Sequence, residues 1–207
     1  ASVHLLPCIA GHVGADTAAA ILSEGPHRSD DLQLLVDVGT NAEIVFGRAG
    51  HILAASSPTG PAFEGAQISA GQRATAGAIE RVRIDRATLE PRIKVIGADS
   101  WSDDPTFDAD TMTLDITGIC GSGIIEVIGE MYLAGIIDVD GTIRGDVTLP
   151  DGTPCPRVVS DGRTHSYVLH APVDADGDPV GAEIRVTQDD VRAIQLAKAA
   201  LRAGIDL

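Results

Sequence analysis

Asp37, Gly39, Thr40, Asn41 and Glu43 crowd one short turn between two apolar runs, in the stretch LLVDVGTNAEIVFG (34–47). A tight hairpin needs only residues that tolerate a left-handed backbone, and Asn-Gly alone would serve. This turn carries more. Asp37 ends the run Leu34, Leu35, Val36, which sets a carboxylate at the mouth of a buried strand, where it can hold a metal-bound water. Gly39 lets backbone approach a ligand closely, and the amides of Gly39, Thr40 and Asn41 can converge on an anion as a backbone nest. Glu43, at the start of the second run, completes the candidate set. The alternative is an ordinary polar hairpin between two core strands, and the motif alone does not choose.

A second candidate surrounds Cys120. Gly118, Gly121, Ser122 and Gly123 precede an apolar-striped segment, and amides at a helix N-terminus favour negative charge. Close packing of a helix against its neighbours uses glycine in the same way, so both readings stand. Other chemistries lack their signatures. There is no G-x-x-x-x-G-K-S/T, G-x-G-x-x-G, H-E-x-x-H or G-x-S-x-G. Asp174, Asp176 and Asp178 alternate as in a calcium loop, but Pro179 replaces the required glycine and Arg185 the closing glutamate, so an acidic turn is the better reading. The six histidines show no helical pairing, and no residue is assigned as a direct metal ligand. Cys8, Cys120 and Cys155 are too dispersed for a disulfide framework or a thiolate site.

The elements that must position these residues follow from periodicity and punctuation. Residues 17–22 read as a short helix with Asp16 at its N-cap and a stop at Gly25. Strands are expected at 32–38, 43–46 and 51–55, a meander on short turns. Residues 56–71 form an elaborated loop, and 72–82 a helix or part of one. Further strands are expected at 92–96 and 113–116, flanking the acidic stretch DSWSDDPTFDAD, read as a solvated loop. A helix at 122–134 with Ile124, Ile125, Ile128, Met131 and Tyr132 at helical spacing stops at Gly135. Residues 141–184 have the runs and turns of a hairpin-rich insertion. Thr187 and Asp190 have capping-box spacing at the head of a last helix, about 187–205. That helix ends with apolar residues still unspent, which suggests that the chain is part of a larger domain.

Length and charge bound the class. With 207 residues, 44% of them hydrophobic, the chain can bury a real core, and 30 acidic against 15 basic residues give a net charge of −15. That charge disfavours nucleic acid and anionic membrane surfaces as partners. No apolar run is long enough to span a bilayer and the first residues lack a basic leader, which points to the cytoplasm.

Five blocks in order, LPCIAGHVGADTAAAIL, LLVDVGTNAEIVFG, GPAFEGAQISAGQRATAGAIE, GICGSGIIEVIGEMYLAGIID and TQDDVRAIQLAKAALRAGI, make the chain resemble the reductive activators of corrinoid proteins. These are ferredoxin-linked ATPases whose large C-terminal domain belongs to the actin, sugar kinase and Hsp70 superfamily. The resemblance implies an α/β, ribonuclease H-like ATPase lobe, a mixed sheet with packed helices and the insertion at 141–184. It implies that Asp37 acts near the metal or its water, with Gly39, Thr40, Asn41 and Glu43, and Gly118, Gly121, Ser122 and Gly123, as cofactor-binding residues for ATP with Mg2+. A 2Fe–2S cluster is expected only in an N-terminal domain that this chain does not contain. Missing too are an earlier D-x-G-T-T loop and a following adenosine motif, so the isolated chain is expected to be inactive. Ala42, Ala70 and Gln72 depart from the family pattern.

The implied function is return of Co(II) corrinoid to Co(I) with an iron–sulfur electron. The implied partners are a corrinoid protein or cobalamin-dependent methyltransferase and the remaining domains of the full-length chain, with a homodimer left open. A small-molecule kinase of the same superfamily and a non-catalytic docking module for a corrinoid protein are the alternatives.

Overall fold

The computed structural model describes residues 3–173 and 176–206; Asp174, one of the three alternating aspartates, lies outside them. Residues 1–61 with 196–207 form one compact unit, and residues 62–195 a second.

In the first unit, helix α1 (Ala15–Glu24) starts from Gly14 as N-cap, and Gly25 ends it with a left-handed backbone, φ 73°, its amide donating to the Ile21 carbonyl. Asp16 is therefore not the N-cap expected from sequence. It sits in the first turn, where its carboxylate accepts the Thr17 amide at 2.8 Å and meets the positive end of the helix dipole. A 3-10 turn (Pro26–Arg28) leads into the meander β1 (Gln33–Val38), β2 (Ala42–Arg48) and β3 (His51–Ser57). All pairs are antiparallel, with Val36 opposite Ile44 and Ile44 opposite Ala55. The central strand is the most buried, with Ala42, Ile44, Val45 and Gly47 out of solvent, because only it has a strand on both sides. The last turns of the C-terminal helix lie on one face of this sheet. The Ser57 hydroxyl donates to the Ala200 carbonyl at 2.7 Å, and Gly204 comes so close to Ile44 and Ser57 that a side chain there would press on both.

In the second unit, β4 (Ala78–Ile84), β5 (Pro91–Val95) and β6 (Gly118–Ile119) form a sheet of order β5-β4-β6, with β4 and β6 parallel. Between β5 and β6 lies the short helix α2 (Phe107–Thr111), and α3 (Gly121–Leu133) follows β6 and packs along β4. A third sheet, β7 (Val158–Asp161), β8 (Thr164–His170) and β9 (Ile184–Val186), supplies the hairpins expected within 141–184. Helix α4 (Gln188–Asp206) closes the chain. Its head is a reciprocal capping box: Asp190 accepts the Thr187 amide at 2.8 Å, and the Thr187 hydroxyl accepts the Asp190 amide at 3.2 Å.

Four further expectations fail locally. Residues 78–84 are a strand, not a helix: Val82 and Ile84 are buried and alternate with exposed Arg81 and half-buried Arg83, a period of two, and an irregularity between Ile79 and Arg81 brings Ile79 to the buried side as well. Residues 113–116 are not a strand; Gly118 and Ile119 take that place. The acidic stretch is not wholly a solvated loop, since Phe107 is buried and is the first residue of α2. On α3 the buried stripe is Ile124, Val127 and Met131, while Ile125 and Tyr132 face solvent.

Candidate functional site

The β1–β2 turn is built by contacts from outside it. Val38 and Ala42 are the last paired residues, and Gly39, Thr40 and Asn41 bridge them. All three loop carbonyls are engaged. The Gly39 amide donates to the Asn41 carbonyl at 3.1 Å, and the Gly60 amide donates to the Thr40 carbonyl at 2.9 Å. The Thr59 hydroxyl reaches the Gly39 carbonyl at 2.7 Å and the Thr40 carbonyl at 3.2 Å, one proton shared between two acceptors. In a trans peptide the C=O and the following N–H point in opposite directions. Carbonyls of Gly39 and Thr40 drawn toward Thr59 therefore turn the amides of Thr40 and Asn41 to the other side, where both residues are exposed.

Asp37 and Glu43 are directly opposite each other on β1 and β2, and Ser56 continues the row on β3. Direct cross-strand partners share a face, and like charges placed so are unfavourable. Glu43 is half-buried and accepts the Ser56 hydroxyl at 3.1 Å. Asp37 is exposed and has no hydrogen-bond or ion-pair partner among the described residues. Beside this row a recess of about 610 Å³ is lined by His12, Asp16, Asn41, Glu43 and Ser56, with no lysine or arginine in its wall. Sequence reading missed Thr59, Ser56 and the 12–16 wall. The pattern S-S-P-T-G, a hydroxyl residue before glycine at the end of a strand, was the available signal for Thr59.

Gly118, Gly121, Ser122 and Gly123 lie together in the second unit. Each glycine abuts backbone: a Cβ on Gly118 would press on the Ala70 carbonyl, on Gly121 it would overlap the Phe63 carbonyl, and on Gly123 the Ile79 carbonyl. The Cys120 amide donates to the Ile79 carbonyl at 3.1 Å, and the Ser122 hydroxyl to the Glu80 carbonyl at 3.1 Å. Close packing thus requires these glycines whether or not an anion binds at the head of α3. Cys120 and Cys155 are buried and Cys8 is exposed. Among the described residues no group of three or more His, Cys, Asp or Glu side chains converges as a metal site.

A mixed α/β chain of several small sheets, with an acid-ended strand turning through a glycine loop whose carbonyls are held inward, is a domain of the ASKHA type. The chain belongs to the family of the C-terminal ASKHA domain of RACo, whose model matches residues 31–207. It is 37% identical over 205 residues to the corrinoid activation enzyme RamQ of Eubacterium limosum, covering 98% of this chain and 31% of that protein. It is 32% identical over 139 residues to the Co(II) methylated amine-specific corrinoid protein reductase of Methanosarcina barkeri, covering 64% of this chain and 25% of that protein. The solved structure of a reductive activator for corrinoid, iron-sulfur protein matches with a TM-score of 0.76 at 33% identity, over 97% of this chain and 28% of that one. The chain therefore spans between a quarter and a third of the length of these relatives.

Proposed function

We propose that this chain is the part of an ATP-dependent reductive activator that holds nucleotide phosphate, in a cytoplasmic protein whose full length returns Co(II) corrinoid to Co(I). The observation that carries the reading is the Gly39–Asn41 loop: its carbonyls are tied down by Thr59 and Gly60, and the amides of Thr40 and Asn41 are turned outward. Amides so oriented attract an anion. The adjoining recess repels a bare one, because Glu43 and Asp16 in its wall are acidic, Asp37 stands opposite Glu43, and no lysine or arginine lines it. Outward amides beside carboxylates suit a phosphate that arrives with a divalent cation.

Asp37 and Glu43 fit a hydrated Mg2+, an ion that keeps several waters and is bound through one or two carboxylates and the substrate's phosphates. When bound, the ion neutralises phosphate charge. The residues of the chain would then have separate tasks: Asp37 and Glu43 would hold the hydrated ion, with Asp37 toward its water, Ser56 would hold Glu43, and the loop amides would receive phosphate oxygens. Reduction of Co(II) to Co(I) consumes one electron, which an iron–sulfur cluster outside this chain supplies and loses. ATP turnover makes that uphill transfer possible, and a corrinoid protein is the acceptor.

The test uses the full-length protein carrying Asp37→Asn or Gly39→Val, with Co(II) to Co(I) conversion followed by visible absorption in the presence and absence of ATP. Both variants are expected to lose most of the ATP stimulation while keeping the iron–sulfur spectrum. Wild-type stimulation in both would reduce the loop to a hairpin turn.

A further inference from the structure

We infer that Thr59 is a positioning residue for nucleotide binding: its buried hydroxyl holds the Gly39 and Thr40 peptides in the one orientation that presents amides, not carbonyls, to a phosphate. The inference rests on the reading of the 39–41 loop as a phosphate loop.

The argument starts from what the loop would do alone. A peptide-plane flip changes ψ of one residue and φ of the next, so the 39–40 plane can draw on the wide conformational range of Gly39 and the 40–41 plane on Asn41, a residue type that tolerates left-handed backbone. A flip of the 39–40 or 40–41 plane exchanges an N–H for a C=O on the exposed side. An anion would then face the negative end of a dipole. Donors that are fixed before the ligand arrives need no reorganisation, which is the origin of their strength in charged sites.

Three features make Thr59 the residue that fixes them. It is only 6% exposed, although threonine is ordinarily a surface residue. Its single hydroxyl serves two successive carbonyls, at 2.7 and 3.2 Å, so both peptide planes are tied to one atom. The next amide, that of Gly60, takes the same Thr40 carbonyl at 2.9 Å, and Gly60 reaches it with φ 74°, a conformation that disfavours other residues. The segment 58–60 is thus a brace set behind the loop. Flipping the 39–40 plane would remove the shorter of the hydroxyl's two bonds, and flipping the 40–41 plane would take one carbonyl from both the Thr59 hydroxyl and the Gly60 amide.

The experiment measures steady-state ATP hydrolysis by the full-length protein, with saturating Mg2+, at a temperature well below its melting midpoint. The variants are Thr59→Val, which keeps the shape and loses the donor, Thr59→Ser, which keeps the donor, and Thr59→Ala, a smaller residue that carries the test if the valine variant does not fold. Gly39→Val reports on the loop itself. The valine or alanine variant is expected to raise KM for ATP about 10-fold with kcat changed less than about 3-fold, and serine to stay within about 2-fold of wild type in both. A purely structural role would lower the melting temperature and leave KM alone. If Gly39→Val raises KM while Thr59→Val and Thr59→Ala do not, the inference is overturned and the phosphate loop survives. If Gly39→Val also leaves KM unchanged, the phosphate-loop reading fails and takes the inference with it.

Discussion

Glu126 on α3 accepts the backbone amide of Val82 on β4 at 2.6 Å, and one helical turn on, Glu130 accepts the amide of Ile84 at 3.1 Å. Four helical residues rise about 6.0 Å and two strand residues about 6.7 Å, so the two periodicities mesh over this distance. Past Ile79, β6 no longer pairs with β4, and the carboxylates satisfy amides that would otherwise form an open edge. Arg81 and Arg83 pair with Glu126, Arg81 at 3.1 Å, and balance its charge. Helix α3, with the glycine turn at its head, is thereby fixed along the strand.

Partial burial pushes the Glu126 carboxyl up, but Arg83, the Val82 amide and Arg81 outweigh it and hold the group below its ordinary range. Its contribution is therefore fully present above the ordinary glutamate range and is lost as pH falls below that range through the depressed folded value. Glu126→Gln is expected to cost about 1–3 kcal/mol at pH 7 and to flatten the acid limb of a stability–pH profile measured by urea unfolding. An unchanged acid limb would show that the edge contact is incidental.

Tyr167 is fully buried, and its hydroxyl donates to the carbonyl of Leu89 at 2.9 Å. Burial raises its ionisation far above the ordinary tyrosine value. Leu89 is itself left-handed, φ 57°, which an L side chain tolerates poorly. Tyr167→Phe is expected to destabilise by about 1–3 kcal/mol, through the unpaired Leu89 carbonyl, with no change in the pH profile between 5 and 9. Thermal melting across that range checks both statements.

Asp190 is 1% exposed and accepts the Thr187 amide, the Ser69 amide at 2.7 Å and the Ser69 hydroxyl at 3.0 Å. It caps α4 and also ties down the 61–72 loop. Asp190→Ala is expected to cost roughly 2–4 kcal/mol, more than an exposed cap would, because two amides lose their acceptor. Asp190→Asn keeps one acceptor oxygen and should cost less than half as much. Equal losses in denaturant titrations would assign the effect to charge.

Asp37 and Glu43 oppose each other as like charges across β1 and β2. In the absence of divalent cation, Asp37→Asn is expected to stabilise the fold by about 0.2–1 kcal/mol while impairing ATP-stimulated corrinoid reduction. Opposite signs in melting and activity would show that the pair is kept for its ligand. Destabilisation by the substitution would show the carboxylate to be part of the framework.

The local elements were legible because local rules write them. Alternation of apolar residues marked the meander, Gly25 and Gly135 the helix stops, and Thr187 with Asp190 the capping box. The ordered blocks identified the family from sequence, and the family model and relatives agree. Residues 78–84 misled because Ala, Glu and Arg favour helix, and only pairing with β5 made them a strand. What tertiary structure alone decided was which distant groups meet. Among the described residues the strands form three small sheets. Glu126 reaches Val82 across 44 residues, Asp190 reaches Ser69 across 121, and Thr59 braces a loop 20 residues before it. A single carboxylate or hydroxyl carries no periodicity, so nothing in the chain announces its partner. Its role exists only once folding has placed a particular amide or carbonyl within 3 Å of it and withdrawn the water that would otherwise serve.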